Sequence, residues 1–250
     1  MNEGPTHFAI RPSDKVSKRA SKVVKANSAR KGEPAFHMTD DMRRLSTPWT
    51  VSVARATQIE AADLPAGVIL DAAAGSGVQL IALTAGLKRP GLAIELDPNI
   101  GLLCAANMHL AGEADDLQRS MDRVLVGDGT DAENAITAYW NSLREAGTRA
   151  HPPIGMLHLD PARPRDAQRH EIDEMQPAIR PLLKAWSKHL ETGPRGPAVL
   201  LDLSPRLSEE QRSLVDAVIE TTFPGIARTW EYLSQGGGRI DRLSVWIGSL

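Results

Sequence analysis

Four short apolar runs, each closed by a carboxylate, set the rhythm of the middle of the chain. Val68-Ile69-Leu70 ends in Asp71, Gly91-Leu92-Ala93-Ile94 in Glu95, Val124-Leu125-Val126 in Asp128 after Gly127, and Ile154 to Leu159 in Asp160. Apolar runs of this length, bounded by turn residues, suit strands that are buried on both faces of a parallel sheet. Parallel strands need crossovers, and helical spacing from Val78 to Gly86 and from Ile100 to Ala111 supplies two of them. Glu113 to Asp122 reads as a polar connection and Asp131 to Ala146 as a further helix. Glu171 to Leu190 predicts a helix interrupted near Pro177 and Pro181, because proline removes a backbone donor. A fifth strand spans Pro197 to Leu203, and Ser208 with Gln211 forms a capping box for a helix reaching Thr222. Ile226 to Leu233 and Arg242 to Ile247 alternate in polarity around Gln235-Gly236-Gly237-Gly238, the pattern of an antiparallel hairpin. The expected fold is α/β: a mainly parallel sheet, helices on both faces, and a terminal antiparallel hairpin.

The first of these strands carries the strongest chemical signal. Asp71-Ala72-Ala73-Ala74-Gly75-Ser76-Gly77 joins it directly to the next helix, and the two glycines permit φ > 0 and close approach of a ligand to the backbone. The helix start beyond them offers unpaired N–H groups. Glu95 follows about 20 residues later, the interval at which an acid at the end of a second strand can accept ribose hydroxyls. Strands that each end in an acid would bring Asp71, Glu95, Asp128 and Asp160 to one carboxyl edge, where open α/β sheets bind ligands.

From about Thr47 to Leu250 these features resemble the class I S-adenosylmethionine-dependent methyltransferases, whose Rossmann-like sheet has seven strands and a terminal antiparallel hairpin. The resemblance implies that Asp71, Ala73, Gly75 and Gly77 form the cofactor turn, with Ala73 standing where the family has its first glycine. It also implies that Glu95 holds the ribose and Asp128 the adenine amino group of S-adenosyl-L-methionine. Ser46-Thr47-Pro48-Trp49-Thr50 is similar to the family segment that covers the methionine end. Asp160-Pro161-Ala162-Arg163 resembles the (D/N)-P-P-x motif of nucleic-acid methyltransferases, and the helix around Asn107 resembles one common in RNA-modifying members. The branch implied is that of trimethylguanosine-synthase-like and THUMP-associated RNA methylases. Asp160 is then expected beside the cofactor as the residue that positions or deprotonates a base nitrogen, and Arg163 to hold a phosphate or base edge. A small-molecule or protein methyltransferase and a non-catalytic RNA-binding protein on the same fold are the alternatives.

Composition refines this picture in three respects. The 250 residues carry a net charge of −2, yet residues 11–31 hold eight basic side chains against Asp14 alone. Lys15, Lys18, Arg19, Lys22 and Lys25 fall on one face of a helix, with Val16, Ala20, Val23 and Val24 on the other. Such a helix can dock its apolar side and offer its charge to an RNA backbone. The expected organisation is a basic segment over 1–35, partly helical or disordered, a helical segment over 36–64 capping the cofactor site, and a methyltransferase domain over 65–250. Within 36–64, Met38 to Leu45 and Pro48 to Ala62 read as helices, with Thr47 as N-cap and Pro48 as the first helical residue.

Cys104 is the single cysteine, so a disulfide framework is out of reach and a cytoplasmic setting is expected. Within an apolar helix it reads as a buried small hydrophobe, which argues against covalent uridine chemistry. No apolar run is long enough to span a bilayer. His151, His158, His170 and His189 are scattered without ligand spacing, so no metal site is expected, and His158 between Leu157 and Leu159 reads as a hydrogen-bonded core histidine.

Overall fold

The computed structural model describes residues 7–27, 32–111, 116–162, 171–234 and 242–250. The four carboxylate-ended runs are strands β2 (Val68–Asp71), β3 (Gly91–Glu95), β4 (Arg123–Val126) and β5 (Ile154–Leu159), each buried almost throughout. Strand β1 (Phe8–Ile10) precedes them, and β6 (Thr192–Gly193), β7 (Gly196–Leu203), β8 (Arg228–Leu233) and β9 (Arg242–Gly248) follow. They form one nine-stranded sheet in the order β1-β4-β3-β2-β5-β7-β9-β8, with β6 paired to β7. The core β4-β3-β2-β5-β7 is parallel, while β9, β8 and the first strand are antiparallel.

Two strands exceed the seven expected. Phe8–Ile10 pairs with Val124–Val126 and extends the far edge. A three-residue run is too short for period-two alternation to register in the sequence. Next in the chain is α1 (Asp14–Val23), the basic helix. Val16 and Ala20 are buried as expected, whereas Val23 is 52% exposed, since the helix ends there and the chain turns back to an extended Val24.

Helices α2 (Asp40–Leu45) and α3 (Trp49–Glu60) match the expected pair. Pro48 is the N-cap and Trp49 the first helical residue, one position later than expected, while Thr47 is buried. Helices α4 (Val78–Leu87) and α5 (Pro98–Ala111) supply the first crossovers. The polar connection contains a short α6 (Asp116–Met121) before β4, and α7 (Ala132–Glu145) begins on an Asp131 cap. The expected interrupted helix from Glu171 is a single 3-10 turn, Ile172–Glu174, then extended chain, then α8 (Ile179–Trp186). Pro181 sits in the first turn of α8, where its missing N–H has no partner to lose. Ser208 caps α9 (Glu209–Thr222) by accepting from Gln211 N. The Gln211 side chain does not return to the cap: it accepts from Ile172 N and donates to Glu171, tying α9 to the 3-10 turn.

Strand alternation separates two cores. Leu70, Leu92, Leu157, Leu201 and Val245 face α7, α8 and α9. Ile69, Ala93, Val124, Met156, Leu200 and Trp246 face α1, α3, α4 and α5. The sheet is thus sealed on both sides, leaving its carboxyl edge as the place where strands meet loops.

Candidate functional site

Strand order brings the expected acids together, for β4, β3, β2 and β5 are neighbours and Asp128, Glu95, Asp71 and Asp160 lie at or just past their carboxyl ends. Between β2 and α4 the turn has a tight internal geometry: Ala74 N donates to Ile94 O at 3.0 Å, and Gly77 N to Ala74 O at 2.8 Å. Gly75 and Gly77 take φ of +52° and +77°, values that favour glycine. Gly77 is also required by packing, since a Cβ there would lie 2.8 Å from the Cys104 Sγ of α5. At Gly75 a Cβ would meet nothing within 4 Å, so open space lies beside the turn. Ala73 does not adopt a positive φ, so its side chain brings no left-handed strain to the turn.

Glu95 closes the turn. Its Oε2 accepts from Gly75 N at 3.0 Å and its Oε1 from Asp97 N at 3.0 Å. Burial raises its pKa, and these backbone donors oppose the shift. Leu96, the next residue, is 73% exposed. Asp128 is exposed at the end of β4, where its Oδ1 accepts from Thr130 N and Thr130 Oγ1, both at 2.8 Å. His7, ahead of β1, is 2.9 Å from the Asp128 carbonyl oxygen, so the N-terminal segment borders this end of the site.

The segment ahead of the first parallel strand is fastened to the turn at two points. Ser46 Oγ and Ser76 Oγ are 2.9 Å apart. Asn107 of α5 accepts from His37 N and donates to Ser76 O, which joins three stretches of chain through one buried amide. Trp49 packs against Phe36 at 5.7 Å between ring centroids. Cys104 is fully buried, and burial together with the charges of Asp71 and Glu95 pushes its thiol well above the ordinary range, away from any nucleophilic role.

Asp71 does not face the open space. It is buried, with Oδ1 accepting from Ala73 N at 3.2 Å and Oδ2 lying 2.9 Å from His158 Nδ1. On its other side His158 Nε2 is 3.3 Å from Asp202 Oδ2. Asp202 in turn pairs with Arg55 of α3 and accepts from Ser244 Oγ at 2.7 Å. Asp71, His158, Asp202 and Ser244 therefore form a polar row across β2, β5, β7 and β9, under Arg55. Sequence reasoning singled out Asp71 and His158 but not Arg55, Asp202 or Ser244. The five positions span 189 residues, and no local spacing relates them.

Asp160 forms an ion pair with Arg242 of β9 at 3.3 Å, a pairing that the sequence did not reveal. Arg163, the other expected catalytic residue, lies outside the described residues, as do Pro164 to His170 and the turn expected at Gln235 to Gly238. Among the described residues no cluster of His, Cys, Asp or Glu is arranged to hold a metal ion, and no helix is long and apolar enough to cross a membrane.

No family model matches this sequence, and no curated protein matches it. Solved structures do. The precorrin-6y C5,15-methyltransferase of Geobacter metallireducens is 11% identical, with a TM-score of 0.50, and the match covers 85% of this chain and 93% of that one. A candidate class I S-adenosylmethionine-dependent methyltransferase from Listeria monocytogenes is 13% identical at a TM-score of 0.50, covering 84% of this chain and 62% of that one. A candidate SAM-dependent methyltransferase from Streptococcus mutans is 11% identical at the same TM-score, over 79% of this chain. The chain spans only 48% of the length of that Streptococcus protein. At these identities the likeness is one of fold: the chain has the Rossmann-like methyltransferase fold, with the acid-lined turn at its carboxyl edge.

Proposed function

We propose that this protein is an S-adenosylmethionine-dependent methyltransferase acting on a base in RNA. The observation that carries the cofactor half is the 3.0 Å contact of Glu95 with Gly75 N, which sets an acid on a glycine turn beside open space. The donor set suits a sulfonium nucleoside. Glu95 is placed for ribose hydroxyls, exposed Leu96 offers an apolar surface to a base, Asp128 is available to an exocyclic amine, and backbone from Ala73 to Gly77 borders the methionine end. Bound there, the cofactor supplies an already activated methyl group.

The chain's own residues then need only hold a nucleophile in line and accept any proton it carries. Asp160, oriented by Arg242 at the end of β5, is the residue given that role. Arg163, three residues on, is assigned to the substrate's phosphate or base edge.

The RNA half is supported by α1. Lys15, Lys18, Arg19 and Lys22 are exposed on it while Val16 and Ala20 are buried, and Lys25 follows, also exposed. The helix packs on α5, linked at Asp14 to His109 at 2.9 Å, and α5 begins three residues after Glu95. A cationic ridge held to the helix that leaves the site suits a phosphate backbone.

Calorimetry with S-adenosylmethionine and S-adenosylhomocysteine, then labelled methyl transfer to total RNA, tests both halves. Lys15, Lys18, Arg19, Lys22 and Lys25 replaced together by Gln should keep cofactor binding and lose salt-dependent RNA affinity. Cofactor binding with transfer to proteins or small molecules instead of RNA would favour that alternative. RNA binding with no heat from either nucleoside would leave a non-catalytic RNA-binding protein.

A further inference from the structure

We infer that His158 is an imidazolium that bridges two buried carboxylates and thereby positions Asp71 and the glycine turn. Both ring nitrogens face carboxylate oxygens, Nδ1 at 2.9 Å from Asp71 and Nε2 at 3.3 Å from Asp202. A neutral imidazole has one N–H, so one of its nitrogens would turn a lone pair toward an oxygen that can only accept. Two N–H donors satisfy both contacts.

Charge balance points the same way. Facing His158 are Asp71 from β2, Asp202 from β7 and Arg55 from α3, with the uncharged Ser244 of β9 and Gln79 of α4 completing the network. Asp202 pairs with Arg55, faces His158 and accepts from Ser244 Oγ at 2.7 Å, so three groups converge on one buried carboxylate. Two carboxylates and one guanidinium sum to a single negative charge, so a charged His158 is what leaves the cluster neutral, and an uncompensated charge at this depth is costly. Register adds the geometric reason, since the Asp71 and His158 Cα atoms are direct partners across β2 and β5.

The consequence for the site runs through Asp71. One of its oxygens is held by His158, so the other is aimed at Ala73 N, the first donor of the turn. His158 never reaches the open space; it is a positioning residue, connected through Asp202 to Arg55 on the covering helix α3. The effect on cofactor affinity rests on the methyltransferase reading, and the protonation state does not.

Long-range ¹H–¹⁵N spectra of the full-length protein test the protonation, with His158→Gln identifying the resonances. Both ring nitrogens should be protonated from about pH 7.5 to about pH 9, where an ordinary histidine with a pKa of about 6.5 is neutral. One unprotonated nitrogen at neutral pH overturns the inference. Calorimetry with S-adenosylhomocysteine tests positioning: affinity should fall roughly tenfold or more in His158→Gln. A folded variant with wild-type affinity overturns it. Should His158→Gln not fold, Asp202→Asn serves, for loss of that charge should bring the imidazole's titration down toward neutrality. A titration that does not move counts against the bridge. If the wild-type protein takes up no S-adenosylhomocysteine, the methyltransferase reading fails, while the spectra still decide the state of His158.

Discussion

The side-chain amide of Asn107 donates to Ser76 O at 2.9 Å and to His37 O at 3.1 Å, and accepts from His37 N at 2.6 Å. It is completely buried on α5. One residue therefore holds the glycine turn and the chain around His37 in register, and truncating it leaves three backbone groups without that partner. Asn107→Ala should lower stability by about 2–4 kcal/mol, as expected for buried groups left unsatisfied. Urea denaturation reads the loss, and limited proteolysis should show earlier cleavage in residues 32–46.

Glu95 serves the turn and the proposed nucleoside together. Glu95→Ala leaves the Gly75 N–H without its acceptor and should weaken S-adenosylhomocysteine binding by roughly 10–100-fold, the worth of one or two charge-assisted hydrogen bonds. Glu95→Gln keeps an acceptor oxygen and should fall between that and wild type. Calorimetry at fixed ionic strength separates the three proteins. Equal affinity in all of them removes Glu95 from the binding site.

Gly77 answers to two constraints that a double-mutant cycle can separate. Gly77→Ala places a side chain at φ +77° and a methyl 2.8 Å from Cys104 Sγ. It should cost about 1–3 kcal/mol in thermal or urea unfolding. Introducing Cys104→Ala alongside it should recover the steric part and leave the backbone part.

Breaking the buried network at its cationic end should be severe. Arg55→Met leaves Asp202 in the core with His158 as its only charged partner among the described residues, and loss of about 3–5 kcal/mol is expected, the usual consequence of removing one member of a buried pair. Equilibrium denaturation measures it. A change below about 1 kcal/mol, the scale of an exposed ion pair, would mean that Asp202 is solvated.

Stability should depend on pH in two windows. Burial alone would lower the pKa of His158, but the charges and hydrogen bonds of Asp71 and Asp202 outweigh it and push the group from 6.5 up to about 10. A raised value means that the folded state binds the proton more tightly. Its stabilisation is therefore complete below 6.5 and is lost as pH rises through about 10. Asp122 behaves alike at lower pH: burial pushes it from 3.8 to about 6, so stability falls as pH rises through that interval. Melting temperatures across the two windows test this. His158→Gln should flatten the alkaline slope. Asp122→Asn, which keeps an acceptor for Gly91 N, should flatten the acidic one.

The parallel strands were legible along the chain because each is a local signal, an apolar run ended by an acid and a turn residue. The same holds for the glycine turn and for the Ser208 cap, whose partner is three residues away. Strand β1 and the 3-10 turn at Ile172 were not legible, being too short for any period to show. Asp71 illustrates the boundary. Its place at the end of β2 follows from residues beside it, but the direction of its carboxylate depends on His158, 87 residues on. Arg55, Asp202, Ser244 and Arg242 acquire their roles only because parallel crossovers and the terminal hairpin stack distant strands side by side. Local patterning specifies where a strand ends; which charges then meet across neighbouring strands is a property of sheet order, and that exists only after folding.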